Sequence, residues 1–381
     1  MNYANPQIRR IARRMPLFCA SYFMLFAFGS LYLLQRDVLA QMQFRMSEGV
    51  TVYHPLLSAL LCTLLLTFLG VFVGSVLRWL PLRLKALAWF FPFLLLGALS
   101  HWHFPQFGDA GTPLRWGIVM LFVVLYVLSL LLSRRFPDSS KEKDGFVTYA
   151  WANILLLILF TSMSLTLSNT DGVLHRTLRA GRLVEEHNYE GVLQAGRYER
   201  HPSQPLSAAV ALALSQTGQL GERLFFYPQP YGSEGLVPRL ADTLMVYNLP
   251  HEAGFHLGYK RGGRTPVTLF LDVISSRPNP RPAVHDYLLC AHLLDKNLDR
   301  FAETLLVGDT LPDMLSLHYR EALLLRQHLN PDAPLLLADA PLSAAFEEFL
   351  TLLQTAGTKD EREFMVRERF GTTYWCYFYF N

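Results

Sequence analysis

Cysteine is scarce, with four residues in 381, and none forms a CxxC pair or stands at Cys/His ligand spacing. Neither a zinc site nor a disulfide framework is therefore indicated. Cys19 and Cys62 fall inside apolar runs; Cys290 and Cys376 lie far apart in the polar half and read as buried small hydrophobes rather than as a bridge. There is no GxSxG elbow, HExxH helix, GxGxxG turn or GxxxxGK[ST] loop, so hydrolase, zincin, dinucleotide and P-loop chemistries lack their mechanical parts. Charge is thin as well. A formal net charge of +3, with Arg and Lys dispersed among Asp and Glu, offers no basic face to nucleic acid. Ionisable residues are almost missing from the long apolar runs, where an ion-coupled transporter needs carboxylates, histidines or cations along its path. Neither metal, cofactor nor catalytic set is expected, and a non-enzyme is favoured.

Apolar residues fill that space. At 51 % hydrophobic and a mean hydropathy of +0.21, the chain is too apolar for an ordinary soluble protein of its size. The excess lies before Asn169, which divides the chain into a membrane part, 1–168, and a water-soluble part, 169–381. A lipid-spanning helix needs about 20 mainly apolar residues. Five stretches qualify: Leu17–Leu34, Leu56–Leu77, Ala86–Trp102, Trp116–Leu132 and Tyr149–Leu167. The third carries Pro92, so a kinked or re-entrant helix would read similarly. The first follows a basic segment, as a signal peptide does, but its apolar run is too long and Gln35, Arg36 and Asp37 follow it in place of a cleavage site. Trp79, Trp102, Trp116, Tyr149 and Trp151 stand at span ends, where amphipathic rings prefer the headgroup level.

Basic residues in short loops resist translocation. Arg9, Arg10, Arg13 and Arg14 precede the first span; Arg78, Arg83 and Lys85 follow the second; Arg134, Arg135, Lys141 and Lys143 follow the fourth. The alternate loops carry Arg36 and Arg45 with Asp37 and Glu48, and Arg115 with Asp109. The amino terminus is thus expected in the cytoplasm of a bacterial cell and the polar part outside its inner membrane.

From Asn169 onward, amphipathic helices of about a dozen residues alternate with short turns containing Gly, Pro or Asn. One unit runs from Leu183 to His201-Pro202, with Asn188-Tyr189-Glu190 at its turn. A second pairs Leu206–Gln216 with a helix starting at Gly221 across Thr217-Gly218-Gln219-Leu220, and ends at Pro228. A third covers Asp286–Leu306, with its turn at Lys296–Phe301, and a fourth Met314–Leu329. The step from Tyr189 to Leu220 approaches the period of about 34 residues of helix-turn-helix repeats. With Ala208, Ala209 and Ala213 where two helices must meet closely and Pro202 at a unit's end, this part resembles the tetratricopeptide repeat family, over about half of its length. Gln229–Pro282 does not fit the pattern and reads as inserted loops. The resemblance implies an all-α fold, a transmembrane bundle followed by stacked helix pairs, with a groove for a protein or peptide partner. Membrane lipid is the other expected partner. Five spans followed by Gly218–Phe225 and the aromatic run Thr373–Tyr379 are also similar to a bacterial membrane-protein family of unsettled activity. That likeness implies architecture and transfers no catalytic residue.

Several residues invite sharper readings. Asp37, just beyond the first span, occupies the kind of position where multi-pass lipid-sugar glycosyltransferases place an acidic residue; beside Arg36 and without a fuller acidic motif, it reads better as a solvated carboxylate. His101 and His103 stand at i and i+2, which do not face one another on a helix, and lack a third ligand. Gly258–Arg264 is basic and glycine-containing but reads as an exposed flexible turn. The terminal aromatic run is too apolar for a solvated tail and must dock, as a closing strand or helix or on the outer leaflet. The sequence therefore points to a membrane-anchored scaffold for protein interaction on the extracytoplasmic face, with a glycosyltransferase-like enzyme using Asp37 as the alternative. Reporter fusions after Ser168 and after Asn381 test the orientation. Alkaline phosphatase is expected to be active at both positions, and a cytoplasmic reporter lighting up at either would reverse the assignment.

Overall fold

The computed structural model describes residues 6–100, 112–135, 146–197, 199–238, 246–262, 265–306, 315–331, 339–354 and 358–381, and every regular element among them is helical. The chain separates into two compact units, Met1–Asp171 and Gly172–Asn381.

The first unit holds α1 (Pro6–Gly29), continued by a π-helical turn at Ser30–Leu34, then α2 (Arg36–Met46) and α3 (Pro55–Val76). A 3₁₀ stretch, Leu82–Trp89, leads into α4 (Phe90–Leu99); α5 (Thr112–Arg135) and α6 (Phe146–Leu167) follow. Its packing is inverted relative to a water-soluble protein. Helix α3 buries Ala59, Thr63, Leu66 and Gly70, while Leu60, Leu64, Leu65, Phe68 and Phe72 face outward. In water that arrangement would leave a large apolar patch uncovered; in lipid, small residues at helix contacts and large ones outside are the rule. Gly70 has a specific task, because a Cβ there would stand 2.5 Å from Cζ3 of Trp89.

Four stretches are long and apolar enough to cross a membrane: Ile8–Leu34, Pro55–Val76, Leu82–Leu99 and Phe146–Leu167. The span expected over 116–132 lies in α5, whose described apolar stretch, Gly117–Ser133, is shorter. Four candidate crossings thus stand where the sequence led to five. His101, Trp102, His103, Asp109, Lys141 and Lys143 lie outside the described residues, as do the side chains of Arg115, Trp116, Arg134 and Arg135.

The third candidate crossing is broken, and not at Pro92. That proline sits in the first turn of α4, where its missing N–H removes no helical bond. The irregularity is upstream, at Leu84 (φ −123°, ψ 17°). Buried Asn153 of α6 repairs it. Its Oδ1 accepts from the Ala86 amide at 2.7 Å, and its Nδ2 donates to the carbonyls of Leu82 at 2.9 Å and Tyr149 at 2.8 Å. Backbone groups in an apolar medium need such partners.

Charge is sorted along this unit. The start of α1 packs on Leu82, Tyr149 and Ala150 through Ile8, Ile11 and Met15, so Arg9, Arg10, Arg13, Arg14, Arg83 and Lys85 share one end. Arg83 lies over the Tyr149 ring at 5.6 Å. The acidic residues among those described, Asp37, Glu48 and Asp171, belong to the opposite end, together with Arg36 and Arg45. There Gln35 donates to the carbonyl of Asn169 at 3.0 Å, and Ile8 and Leu34 are separated by about 40 Å of helix.

The second unit is a series of short helices, in which α7 (Gly172–Glu185) packs on α8 (Tyr189–Arg197) and α9 (Gln204–Gln216) on α10 (Leu220–Arg223), while α11 (Leu249–Leu257) and α12 (Val267–Ser275) do not pair with each other. Then come α13 (Pro282–Leu294) with α14 (Leu298–Leu305), α15 (Leu317–Leu329) with α16 (Ala340–Gln354), and α17 (Lys359–Phe370) with α18 (Tyr374–Phe380). Three of the turns are built alike. His187, Gly218 and Lys296 take φ of 53°, 67° and 58°. The next residue's amide then reaches back to Leu183, Leu214 or His292 at 2.8, 2.7 or 2.9 Å. Each is a Schellman closure, which satisfies terminal carbonyls and reverses the chain.

Two expectations are corrected here. Gln229–Pro282 is not a run of loops, since it contributes α11 and α12, which pack on α7, α9 and α13. Within it the Gly258–Arg264 segment is not simply an exposed turn. Arg261 is 2 % exposed and donates from Nη2 to Glu234 at 2.6 Å, from Nη1 to the Val237 carbonyl at 2.9 Å and from Nε to the Thr265 carbonyl at 2.9 Å. A guanidinium offers five fixed donors, so one buried arginine can tie three chain segments. Gly263 and Arg264 lie outside the described residues. The aromatic run docks as α18, with Tyr374, Trp375, Cys376 and Tyr377 buried. The four cysteines are free thiols.

Two histidines make this unit sensitive to acid. His256, whose Nε2 is hydrogen-bonded to Ser215 at 2.7 Å, and His292 are both held below the ordinary value of 6.5, chiefly by burial. Arg281 adds to the effect at His256, whereas Asp272 and Asp295 oppose it at His292. Below 6.5 the unfolded chain therefore binds these protons more readily than the folded one, and stability falls with pH. Asp286, raised above 3.8 by burial, has the opposite sign and acts upward from its own lower range. The melting temperature of the full-length protein should fall as pH drops through 6.5, and fall less in a His256→Gln, His292→Gln variant. An equal slope in both proteins would refute the assignment.

Candidate functional site

The second unit carries a cleft of about 790 Å³. Its floor begins with the 3₁₀ turn Leu224–Phe226 that follows α10. Phe225 is 6 % exposed because three rings surround it: His318 at 4.9 Å and nearly perpendicular, Tyr377 at 5.0 Å and Tyr374 at 5.1 Å. The next residue, Phe226, points outward at 45 % exposure, flanked by the Arg223 guanidinium at 5.9 Å. Tyr227, Pro228, Gln229 and Pro230 extend the wall, and Gln229 is tied down by donating to the Leu224 carbonyl at 3.1 Å. The floor thus belongs to the hydrophobic core, as does Tyr227 of the wall, whereas Phe226, Pro228 and Pro230 are exposed.

Opposite stand groups from α17, α18 and the connection between α8 and α9. Tyr377 donates its hydroxyl to the Leu294 carbonyl at 2.8 Å, and burial pushes that hydroxyl up to about 12. Arg367 pairs with Glu363 at 2.7 Å and donates to Asn381 Oδ1 at 3.1 Å. Arg200 and His201 are exposed at the rim. Among the described residues no Asp or Glu lines the cleft, which presents aromatic faces and rings of proline under a positive edge.

A buried node fixes the floor. Glu321 Oε2 is hydrogen-bonded to His318 Nδ1 at 2.9 Å and accepts from the Tyr374 amide at 2.7 Å, while its backbone carbonyl accepts from the Trp375 indole at 2.8 Å. One carboxylate therefore joins α15 to the first turn of α18 and holds Tyr374 and Tyr377 against Phe225.

The two segments whose sequences carried the family likeness, Gly218–Phe225 and Thr373–Tyr379, meet here through Phe225, Tyr374 and Tyr377. Sequence reasoning did not find Phe226, Arg200, Arg367, or the His318–Glu321 pair. The one local signal was the aromatic triplet Phe225–Tyr227 running into Pro228. Asp37 stands elsewhere, half-buried in the first turn of α2. The nearby Tyr53 hydroxyl is raised chiefly by its own burial, with Arg36 pulling down and Asp37 adding upward. Among the described residues no three His, Cys, Asp or Glu side chains are grouped to hold a metal ion.

The chain belongs to a family of unknown function, DUF6057, whose model matches residues 5–261 and 264–381. No curated protein and no solved structure matches it.

The division between floor and wall is measurable. Phe225→Ala should destabilise the protein by about 3–5 kcal/mol, as for a buried aromatic truncated in a core, while Phe226→Ala should change stability by no more than about 0.5 kcal/mol. Equal melting shifts for the two variants would contradict this geometry.

Proposed function

We propose that the protein is a membrane-anchored binding scaffold whose cleft holds an extended protein segment on the extracytoplasmic face of a bacterial inner membrane. The observation that carries this reading is the cleft itself: aromatic and proline faces beneath an edge of Arg200, His201 and Arg367, with no Asp or Glu among the described residues that line it. Aromatic anchors and arginine dominate protein recognition because they bury large area at little conformational cost. The matching ligand is an acidic segment with an aromatic or proline residue.

In this reading the helix pairs are degenerate tetratricopeptide-like repeats. Support comes from the shared turn at His187, Gly218 and Lys296 and from the packing of α8 on α9 and of α14 on α15. The membrane part crosses five times, with α5 as the fourth crossing, and the amino terminus is cytoplasmic. The segregation of Arg9, Arg10, Arg13, Arg14, Arg83 and Lys85 from Asp37 and Glu48 favours that orientation. Nothing at Asp37 favours the glycosyltransferase alternative.

Fluorescent peptides of matched length, one acidic and aromatic and one with its acids replaced by lysine, test the proposal on full-length protein in detergent. The acidic peptide should bind more tightly, Phe226→Ala should weaken it by about tenfold or more, as for an interface hot spot, and Arg200→Glu should abolish the preference. Indifference to peptide charge, or undiminished binding by Phe226→Ala, would overturn the proposal.

A further inference from the structure

A second cavity, of about 370 Å³, lies in the first unit between α1, α3 and the 3₁₀ stretch. Its lining combines two chemistries. Gly70, Gly74, Ala88 and Trp89 form an apolar floor, and Arg78 and Lys85 stand among the lining residues at the end where α3 stops. The floor is shallow relief carved by missing side chains: Trp89 lies over Gly70, and a Cβ on Gly74 would still be 3.7 Å from that of Ala88. Lys85 donates from Nζ to the Arg78 carbonyl at 3.1 Å, which holds its ammonium beside the exposed Arg78.

From this juxtaposition we infer that the cavity binds one anionic phospholipid, its acyl chain along the glycine-lined floor and its phosphate between Arg78 and Lys85. Two features select that occupant. The cavity lies at the basic end of the unit, and the unit's described acids sit at the other end, so the local field favours an anion. The floor is apolar and continuous with the outward-facing side of α3, which exposes Val71, so the anion must carry a hydrocarbon chain to use it. A soluble phosphate would leave the floor uncovered, and a zwitterionic headgroup would bring its own cation to Arg78. The inference rests on reading the first unit as membrane-embedded.

Native mass spectrometry of the detergent-purified full-length protein tests it, with phosphatidylglycerol, phosphatidylcholine of the same acyl chains, and glycerol phosphate as probes. Extraction is read first. Release from membranes by alkaline salt wash alone would overturn the embedding, whereas a need for detergent leaves the lipid site to be judged separately. Phosphatidylglycerol should be retained in preference to phosphatidylcholine, and Arg78→Gln and Lys85→Gln should each lower its retention by about fivefold, the effect of one basic side chain at an anionic membrane surface. Gly74→Leu, which fills the floor, should lower it as well; should that variant fail to fold, the two polar variants decide. Equal retention of both lipids, or unchanged phosphatidylglycerol retention in the Arg78→Gln, Lys85→Gln double variant, would overturn the site. Displacement of the lipid by glycerol phosphate would overturn the lipid assignment in favour of a soluble anion.

Discussion

A backbone or side-chain polar group cut off from water must find a partner, and both units are organised by that requirement. An unpaired group costs about 1–3 kcal/mol in a protein interior and more in hydrocarbon. In the first unit a 3₁₀ stretch interrupts the third candidate crossing, and Asn153 supplies both the acceptor and the donors that the interrupted ladder lacks. Asn153 is itself completely buried, a position that only its full set of bonds makes tenable. In the second unit the same accounting appears at Arg261, which closes three backbone and side-chain acceptors around Glu234, and at Glu321, which joins α15 to α18. Each of these residues fixes a place where the chain departs from regular helix packing.

Periodic features were legible in the sequence and unique contacts were not. The apolar runs over Pro55–Val76 and Phe146–Leu167 announce themselves because lipid demands an unbroken length. The turns at Gly218 and Lys296 do so because amphipathic stripes stop on both sides of them. Arg261 was misread because its neighbours, Gly258, Gly262 and Gly263, have the composition of a solvated loop; its partner Glu234 stands well upstream, and no local pattern connects them. The helices α11 and α12 were missed for a related reason. They are short, carry Pro250 inside the first turn of α11 and Pro266 just before α12, and draw their stability from packing on α7, α9 and α13 rather than from their own propensity. Pro92 left a kinked or re-entrant helix open for the third stretch, but a proline in the first turn of a helix removes nothing, and Leu84 rather than Pro92 departs from helical geometry.

The candidate cleft was half legible. Its two aromatic segments stood out as sequence, one after α10 and one at α18, yet nothing in either says that they touch. Their meeting at Phe225 depends on the buried Glu321, which sequence presents as one more charged residue on an amphipathic helix.

That dependence also constrains what the cleft can do. Phe225 packs against His318, Tyr374 and Tyr377, so the floor cannot be reshaped without disturbing the core, and it contributes a fixed apolar surface rather than selectivity. On the proposed reading, discrimination between ligands comes from groups the core does not need: Phe226, the exposed Pro228 and Pro230, and the cations at the edge. Arg367 is already engaged with Glu363 and Asn381, and a ligand acid would have to compete for it. Arg200 makes no such bond among the described residues, so a negative charge brought to that side of the cleft meets a cation without displacing one. An acidic group positioned over Arg200 with its apolar neighbour against Phe226 uses both free elements at once, whereas a basic or wholly apolar segment uses at most one. On the proposed reading, the polarity of the preferred segment thus follows from which side chains are left uncommitted after the fold has satisfied its own buried groups.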